Sequence, residues 1–325
     1  MVKPMTPRER MEAVLNRRQP DEVPTFELEF QLTELEFGQD ARYYGTPEIE
    51  EASPKEGERM LHHDAQLFMR VAEHFGYSNI AFSHVGGEPG LKIIRLLRDQ
   101  YTQGRYTISA NGGGTYGIPN GKDMEQFVYD LYDKPEEMKE GAQRMVADGI
   151  EHGKRLIDAG CDIVFSVTDF AFNDGPFLSP RMFREFVTPY LAQWVGALKE
   201  YGAYVMIHTD GNLMAIMDQF LECAPHGLHS LDPQAGMDIT VLKRKFGDRL
   251  CLMGNLACNL LQVGTAEQVA AAARNCILAG KPGGGYIFST SNVVFRNATY
   301  PEFDPVVLGN YKVALKALRE HGRYD

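Results

Sequence analysis

The sequence predicts an α/β protein folded as a (β/α)8 TIM barrel, with a single domain over residues 1–325. Three observations predict it. Eight short apolar runs of strand length recur along the chain, at 23–30, 78–85, 105–110, 161–169, 203–210, 227–232, 249–255 and 284–292. They are near-continuous rather than alternating, as parallel strands covered by helices should be. From residue 160 onward these runs alternate with helical segments in the manner of repeated βα units. Polar residues also stand at the ends of nearly all the runs, where a barrel gathers its active site. A doubly wound open sheet is the alternative, but no G-x-G-x-x-G follows the first run.

The helices announce their starts. Thr6-Pro7 opens a helix with Met11, Val14 and Leu15 on one face, and Ser53-Pro54 opens another with Met60, Leu61, Leu67, Phe68, Val71 and Phe75. Ser179-Pro180 opens a third, carrying Phe183, Phe186, Val187, Tyr190, Leu191, Trp194 and Leu198. Each pairs a hydroxyl N-cap with proline at the first helical position, where the missing N–H has no intrahelical partner to lose. Pro189 falls inside the third pattern and predicts a kink. Thr265 caps an alanine-rich helix with Gln268 three residues on and Gly280 at its close. The stretch 31–58 is polar and irregular, and reads as an excursion over the barrel mouth.

Composition narrows the function. Hydrophobic residues make up 44% of the chain, enough for a large core. Lys and Arg number 33 and Asp and Glu 44, so the net charge is −11. Such an acidic chain without a basic cluster argues against nucleic acid and against an anionic membrane surface as partners. No run approaches the ~18 apolar residues that would span a bilayer. The opening MVKPMTPRERM has no apolar h-region of a secretory signal. The five cysteines are odd in number and form no C-x-x-C pair, which fits a reducing cytoplasm. Cys161, Cys251 and Cys276 sit in apolar runs and read as small core residues.

The run ends supply the candidate chemistry. In order they give Glu27 and Glu29, Ser83 and His84, Asn111 and Tyr116, then Thr168, Asp169 and Asp174. There follow His208 and Asp210, then His229, Ser230 and Asp232, Asn255 and Cys258, and Ser289, Ser291 and Asn292. The H-x-D of His208 and Asp210 fits a metal-ligand pair, a pair orienting a substrate, or a histidine satisfied by a backbone carbonyl. Asp169 either caps the next segment or aims a carboxylate into an apolar mouth, where its acidity would weaken toward proton work. His229 fits a pocket or a structural role equally. Glu27 and Glu29 share one side of the first run, with Phe26 and Leu28 on the other, and Glu29 stands nearer the mouth. The glycine-rich NGGGTYG lacks the G-K-[ST] of a phosphate-binding loop. His62 and His63 lie on a helix as surface or packing residues, and Cys258 is a ligand or a buried thiol.

PRERMEAVLNRRQPDEVP, GPFLSPRMFREFVTPYL, HTDGNLMAIMD, LHSLDPQAGMD, GDRLCLMGN and PGGGYIFSTSN together resemble the uroporphyrinogen decarboxylase superfamily across nearly the whole chain. The resemblance implies a TIM barrel. It also implies either a porphyrin-pathway decarboxylase or a corrinoid-linked methyltransferase. The decarboxylases carry R-Q-A-G-R after the first strand, whose arginines hold a polycarboxylate. This chain has FELEFQLTELEFGQD there, with several acids and no arginine, and FSHVGGEPG where the decarboxylases place an essential Asp. The methyltransferase branch is therefore the closer match. Its thiol-activating members bind zinc through H-x-C and a later Cys; here only His208 carries over, Asp210 replaces the thiolate, and Ser289–Asn292 holds no Cys.

A site of histidine and carboxylates can bind Zn²⁺ and suits an oxygen leaving group better than a thiol. The resemblance thus implies transfer of methyl from a small methylated donor, such as an aryl methyl ether, to the cob(I) state of a corrinoid on a separate protein. The chain itself has no D-x-H-x-x-G corrinoid motif. In that reading Zn²⁺ is held by His208 with Asp210 or Glu29, and Asp169, His208 and His229 are the catalytic candidates. Glu29, His84, Tyr116, Asn255 and Ser291 are the substrate-binding candidates. A cofactor-independent decarboxylase and a non-catalytic tetrapyrrole-binding barrel are the rival readings. The sequence leaves the oligomeric state, a homodimer included, undecided.

Overall fold

The computed structural model describes residues 4–41, 47–82 and 87–324. Seven parallel strands curl into the barrel wall: β1 (Asn79–Phe82), β2 (Thr107–Asn111), β3 (Ile163–Val167), β6 (Tyr204–Thr209), β7 (Gly227–Ser230), β8 (Cys251–Leu256) and β9 (Tyr286–Thr290). Between β3 and β6 a small antiparallel hairpin, β4 (Ala171–Phe172) and β5 (Gly175–Pro176), stands apart from the wall. The strand order follows the chain, with helices in the connections. All seven wall strands fall inside the apolar runs of the sequence or within one residue of them.

The first run is the exception. Residues 23–30 form no ladder and make two isolated parallel bridges, Thr25 to Phe288 and Phe30 to Val294. The segment still closes the ring between β9 and β1. Phe288 N–H donates to the Pro24 carbonyl at 3.0 Å, and Ser78 N–H to the Thr25 carbonyl at 2.8 Å. Two features break the ladder. Pro24 has no N–H to give, and the Glu27 carboxylate wedges in to accept Thr290 N–H at 3.2 Å, a donor that a regular ladder would pair with backbone.

The caps behave as the sequence predicts. Thr6 and Thr265 form capping boxes with Glu9 and Gln268, and Ser53 and Ser179 accept from the N–H groups of Glu56 and Met182. The expected kink near Pro189 is a full break: helices Pro180–Phe186 and Thr188–Glu200 meet at Val187, whose backbone leaves the helical region. The residue before a proline is pushed out of helical geometry, and the break falls just before that position. Gly280 packs flush on Tyr286, where a Cβ would sit 2.6 Å from the ring.

At the floor of the barrel Asp162 gathers four donors. Arg8 reaches both of its oxygens, at 2.8 and 3.0 Å, Arg98 one at 2.7 Å, and Ile108 N–H the other at 2.9 Å. Inside the barrel Phe26 meets Phe165 edge-on at 6.4 Å. Cys161, Cys251 and Cys276 are buried as expected, and burial pushes each thiol up to about 12. Among the described residues no helix is long and apolar enough to cross a membrane.

Candidate active site

Strand register assembles the site. Val167, His208 and His229 lie side by side on β3, β6 and β7, so the two imidazoles face one another, with ring centroids 5.0 Å apart. Their Nδ1 atoms are 2.8 Å apart. His229 Nε2 lies 3.0 Å from the Thr290 carbonyl, which can only accept. That nitrogen therefore carries the proton. Burial holds His229 far below the usual histidine range, with His208 adding to the effect, so the ring is neutral and its Nδ1 is a lone pair. The Nδ1 of His208 must then donate. Burial also lowers His208, with Asp210 and Asp169 opposing, and a neutral His208 leaves Nε2 bare.

That bare nitrogen faces two carboxylates. His208 Nε2 lies 3.9 Å from Asp210 Oδ1, and one donor atom each of Asp169, His208 and Asp210 lie within 4.8 Å of one another. Both carboxylates are held in place by hydrogen bonds. Asp169 Oδ1 accepts Asp210 N–H at 2.9 Å, and Asp210 Oδ2 accepts the Asn292 amide at 2.6 Å. Burial pushes the Asp210 carboxyl up, opposed by His208 and reinforced by Asp169 and Asp232.

The donor set fits Zn²⁺. Three N/O ligands with room for a fourth group is the pattern of catalytic zinc, and at bond lengths of ~2.0–2.2 Å neighbouring donors lie about 3.3–3.5 Å apart. His208 Nε2 and Asp210 Oδ1, at 3.9 Å, stand close to that spacing. Two carboxylates and a neutral imidazole match a dication in charge, and the His229 contact on the far nitrogen is the support that metal-binding histidines need.

Beside this cluster lies a cavity of about 210 Å³ lined by Leu28, Phe82, Phe165, Val167, Asn111 and Asn292, among others. Among the described residues no lysine or arginine lines it.

The structure sorts the sequence candidates. His208, His229, Asp169 and Asp210 come together as described. Glu29 lines the cavity, but its carboxylate accepts the Gln31 amide at 3.0 Å and stands outside the three-residue cluster, in which Asp169 is the third member. Asp169 itself is exposed, not enclosed in an apolar mouth, and the mouth carboxyl that burial pushes up is Asp210. Tyr116 turns away: its hydroxyl donates to the Met138 carbonyl at 3.0 Å and its ring packs on Phe127. Asn255 also faces outward, its amide donating to the carbonyls of Leu231 and, at 2.6 Å, Met237, where it pins the connection after β7. Ser291 accepts Cys258 N–H at 3.3 Å and ties the ends of β8 and β9 together. Ser83 and His84 lie outside the described residues.

Glu27 does not point into the barrel beside Glu29. Phe26 and Leu28 take the interior, and Glu27 is buried in the wall against β9 and Tyr311. Asn292 at the cluster, and Glu27 with Ser289 and Thr290 behind it, are the groups whose roles sequence reasoning missed. A carboxylate in an apolar run, two residues from a second one, was the available signal for Glu27.

A (β/α)8 barrel with a histidine–carboxylate cluster at the C-terminal ends of its strands defines the class of this protein. Residues 88–299 match the family model described as uroporphyrinogen decarboxylase (URO-D), and the chain belongs to that family. Two uroporphyrinogen decarboxylases, from Chlorobaculum parvum and Chlorobaculum tepidum, are each 26% identical to it over 165 and 166 residues. Those matches cover 50% of this chain and 43% of each relative, so the chain spans less than half the length of the curated relatives it matches. Among solved structures, a methyltransferase from Methanosarcina mazei superposes with a TM-score of 0.75 at 17% identity, over 97% of this chain and 99% of that one. That likeness establishes the shared barrel fold.

Proposed function

We propose that this protein is a methyltransferase that takes a methyl group from a small methylated donor, an aryl methyl ether fitting the site best, and passes it to the cob(I) state of a corrinoid on a partner protein. The observation that carries the reading is the His208–Asp210–Asp169 cluster beside a cavity that, among the described residues, no basic side chain lines. Zn²⁺ held by these residues would supply the positive charge that the oxygen of the departing group needs, and the corrinoid would supply the electron pair that takes the methyl. The chain's own part is positioning and exclusion. Leu28, Phe82, Phe165 and Val167 offer an apolar seat for a flat, uncharged ring. Asn111 and Asn292 are the polar groups that orient it. His229 holds His208 in the tautomer with Nε2 bare.

Decarboxylation is the second reading, because the matched relatives are named decarboxylases. A polycarboxylate brought to this cavity would meet Glu29, Asp169 and Asp210 and, among the described residues, no lining cation. Metal analysis of the purified protein, with assays of methyl transfer to cob(I)alamin and of carbon dioxide release, separates the two. About one zinc per chain, lost in His208→Ala, together with methyl transfer is expected. Carbon dioxide release from a carboxylated substrate by metal-free protein would overturn the reading.

A further inference from the structure

A second cavity, of about 300 Å³, lies beside the first. It sits between the segment 27–33, helix Pro54–Phe75 and β1, and Glu29 and Ala81 line both cavities. The partition there is one residue thick, formed by a flexible carboxylate side chain and a methyl group. Small-molecule sites measure ~300–1,000 Å³. The cavity at the histidine cluster, at about 210 Å³, falls short of that range alone, and the pair together lies inside it. The second cavity has two kinds of wall. Leu67, Phe68, Val71 and Ile80 make an apolar side. Glu29, Asp40 and the buried Glu27 bring carboxyl groups to the other. Among the described residues Arg296 is the one cation that lines it, and its guanidinium is engaged elsewhere, donating to Glu34 at 3.0 Å and standing 3.9 Å from Asp304.

We propose that this second cavity is a subsite for the far end of the ligand and that it selects a protonated amine on a short chain, an inference that rests on the reading above in placing an aryl methyl ether at His208. The carboxylates are set for such a group. Asp40 accepts the Thr33 hydroxyl at 2.5 Å and Glu29 the Gln31 amide at 3.0 Å, contacts that hold both side chains at the cavity wall. A carboxylate has about four lone-pair sites, so an ammonium can donate to either group beside those contacts. The methylene stem of the amine suits the apolar side. A neutral tail would fill the same space but cover the carboxylates without giving them a donor, which costs free energy. An anionic tail would meet like charges, with the nearest guanidinium already paired.

The test is calorimetric titration of the purified full chain, without corrinoid, with three anisoles of similar length that carry an ethylamine, a propyl or a propionate group para to the methoxy. They share the ring and differ in the charge of the tail. The amine should bind about 10-fold or more tighter than the propyl compound, and the propionate should bind weakest. Glu29→Gln and Asp40→Asn should each cut the amine's advantage by about 3- to 10-fold, and the double variant should abolish it while the propyl compound binds as before. A propionate that binds as tightly as the amine overturns the proposal with no variant needed. So does an amine preference that survives the double variant, because the charge it reads then lies at Asp169 and Asp210. Methyl transfer to cob(I)alamin is scored separately. Selective amine binding without transfer supports the subsite and overturns the methyltransferase reading. Transfer from the propionate as readily as from the amine overturns the subsite and leaves that reading standing.

Discussion

Asp162 is the clearest place to test how the barrel is held together, because its partners come from three separate parts of the chain. Asp162→Asn keeps the volume and removes the charge. In the native protein the carboxylate binds Arg8 through two hydrogen bonds, Arg98 through one and the amide of Ile108 on β2. With asparagine, two guanidinium groups remain close together, one oxygen must serve donors that had two, and an N–H₂ faces a cation. Breaking a buried ion pair costs about 3–5 kcal/mol. Asp162 is 14% exposed, but Arg8 and Arg98 are 20% and 30% exposed, so solvent screening moves the expectation to the lower end. The expected loss is about 2–3 kcal/mol, or a fall of roughly 1 M in the urea midpoint at unchanged slope for a chain of this size. Because Asp162 lies at the floor and His208 at the mouth, Co²⁺ affinity should stay at the wild-type value in the folded variant. A loss below about 1 kcal/mol would refute the clamp as a stabilising unit. A large change in Co²⁺ affinity would refute the separation of floor from mouth.

Other expectations concern the wall and the mouth. Burial raises Glu27 from 4.5 to about 7, so between those values the folded state holds a proton that the unfolded state has lost. Stability must then fall as pH rises through that window, by about 3 kcal/mol in total, and urea unfolding of Glu27→Gln across it should gain stability relative to wild type as pH rises. His226 works in the opposite sense: burial lowers it to about 4, so its contribution is lost as pH falls from 6.5 toward 4, and His226→Asn should flatten that acid limb. Asn255→Ala leaves two carbonyls without their donor at a position with φ of +83°, and thermal unfolding should register a loss of about 1–3 kcal/mol. On the zinc reading proposed above, Asp210→Asn and Asp169→Asn should each lower the zinc measured on the purified protein, whereas Tyr116→Phe should leave it unchanged, its hydroxyl being engaged with Met138.

The parts of this protein legible in its sequence are those that depend on local order. Hydroxyl–proline pairs marked helix starts at Thr6, Ser53 and Ser179, because capping is settled within four residues. Seven wall strands were visible as apolar runs, because a parallel strand buried on both faces has no reason to alternate. The position of a residue at the end of its strand placed His208, His229, Asp169 and Asp210 at one mouth, since the barrel carries every strand end to the same side.

Direction and partnership were not legible. Tyr116 and Asn255 occupy the right end of the barrel and point away from its axis, because carbonyls of Met138, Leu231 and Met237, distant in sequence or on another connection, compete for their donors. The first run reads as a strand, yet Glu27 interrupts its ladder to meet Thr290, 263 positions further on. Hydrophobic periodicity and caps, which act over a few residues, were enough to define a barrel with a polar mouth. The company Asp169 keeps with His208 and Asp210, the bare nitrogen of His208 and the place of Glu27 behind it emerged only in the assembled barrel. Each of these is set by hydrogen bonds across strands whose register no local pattern encodes.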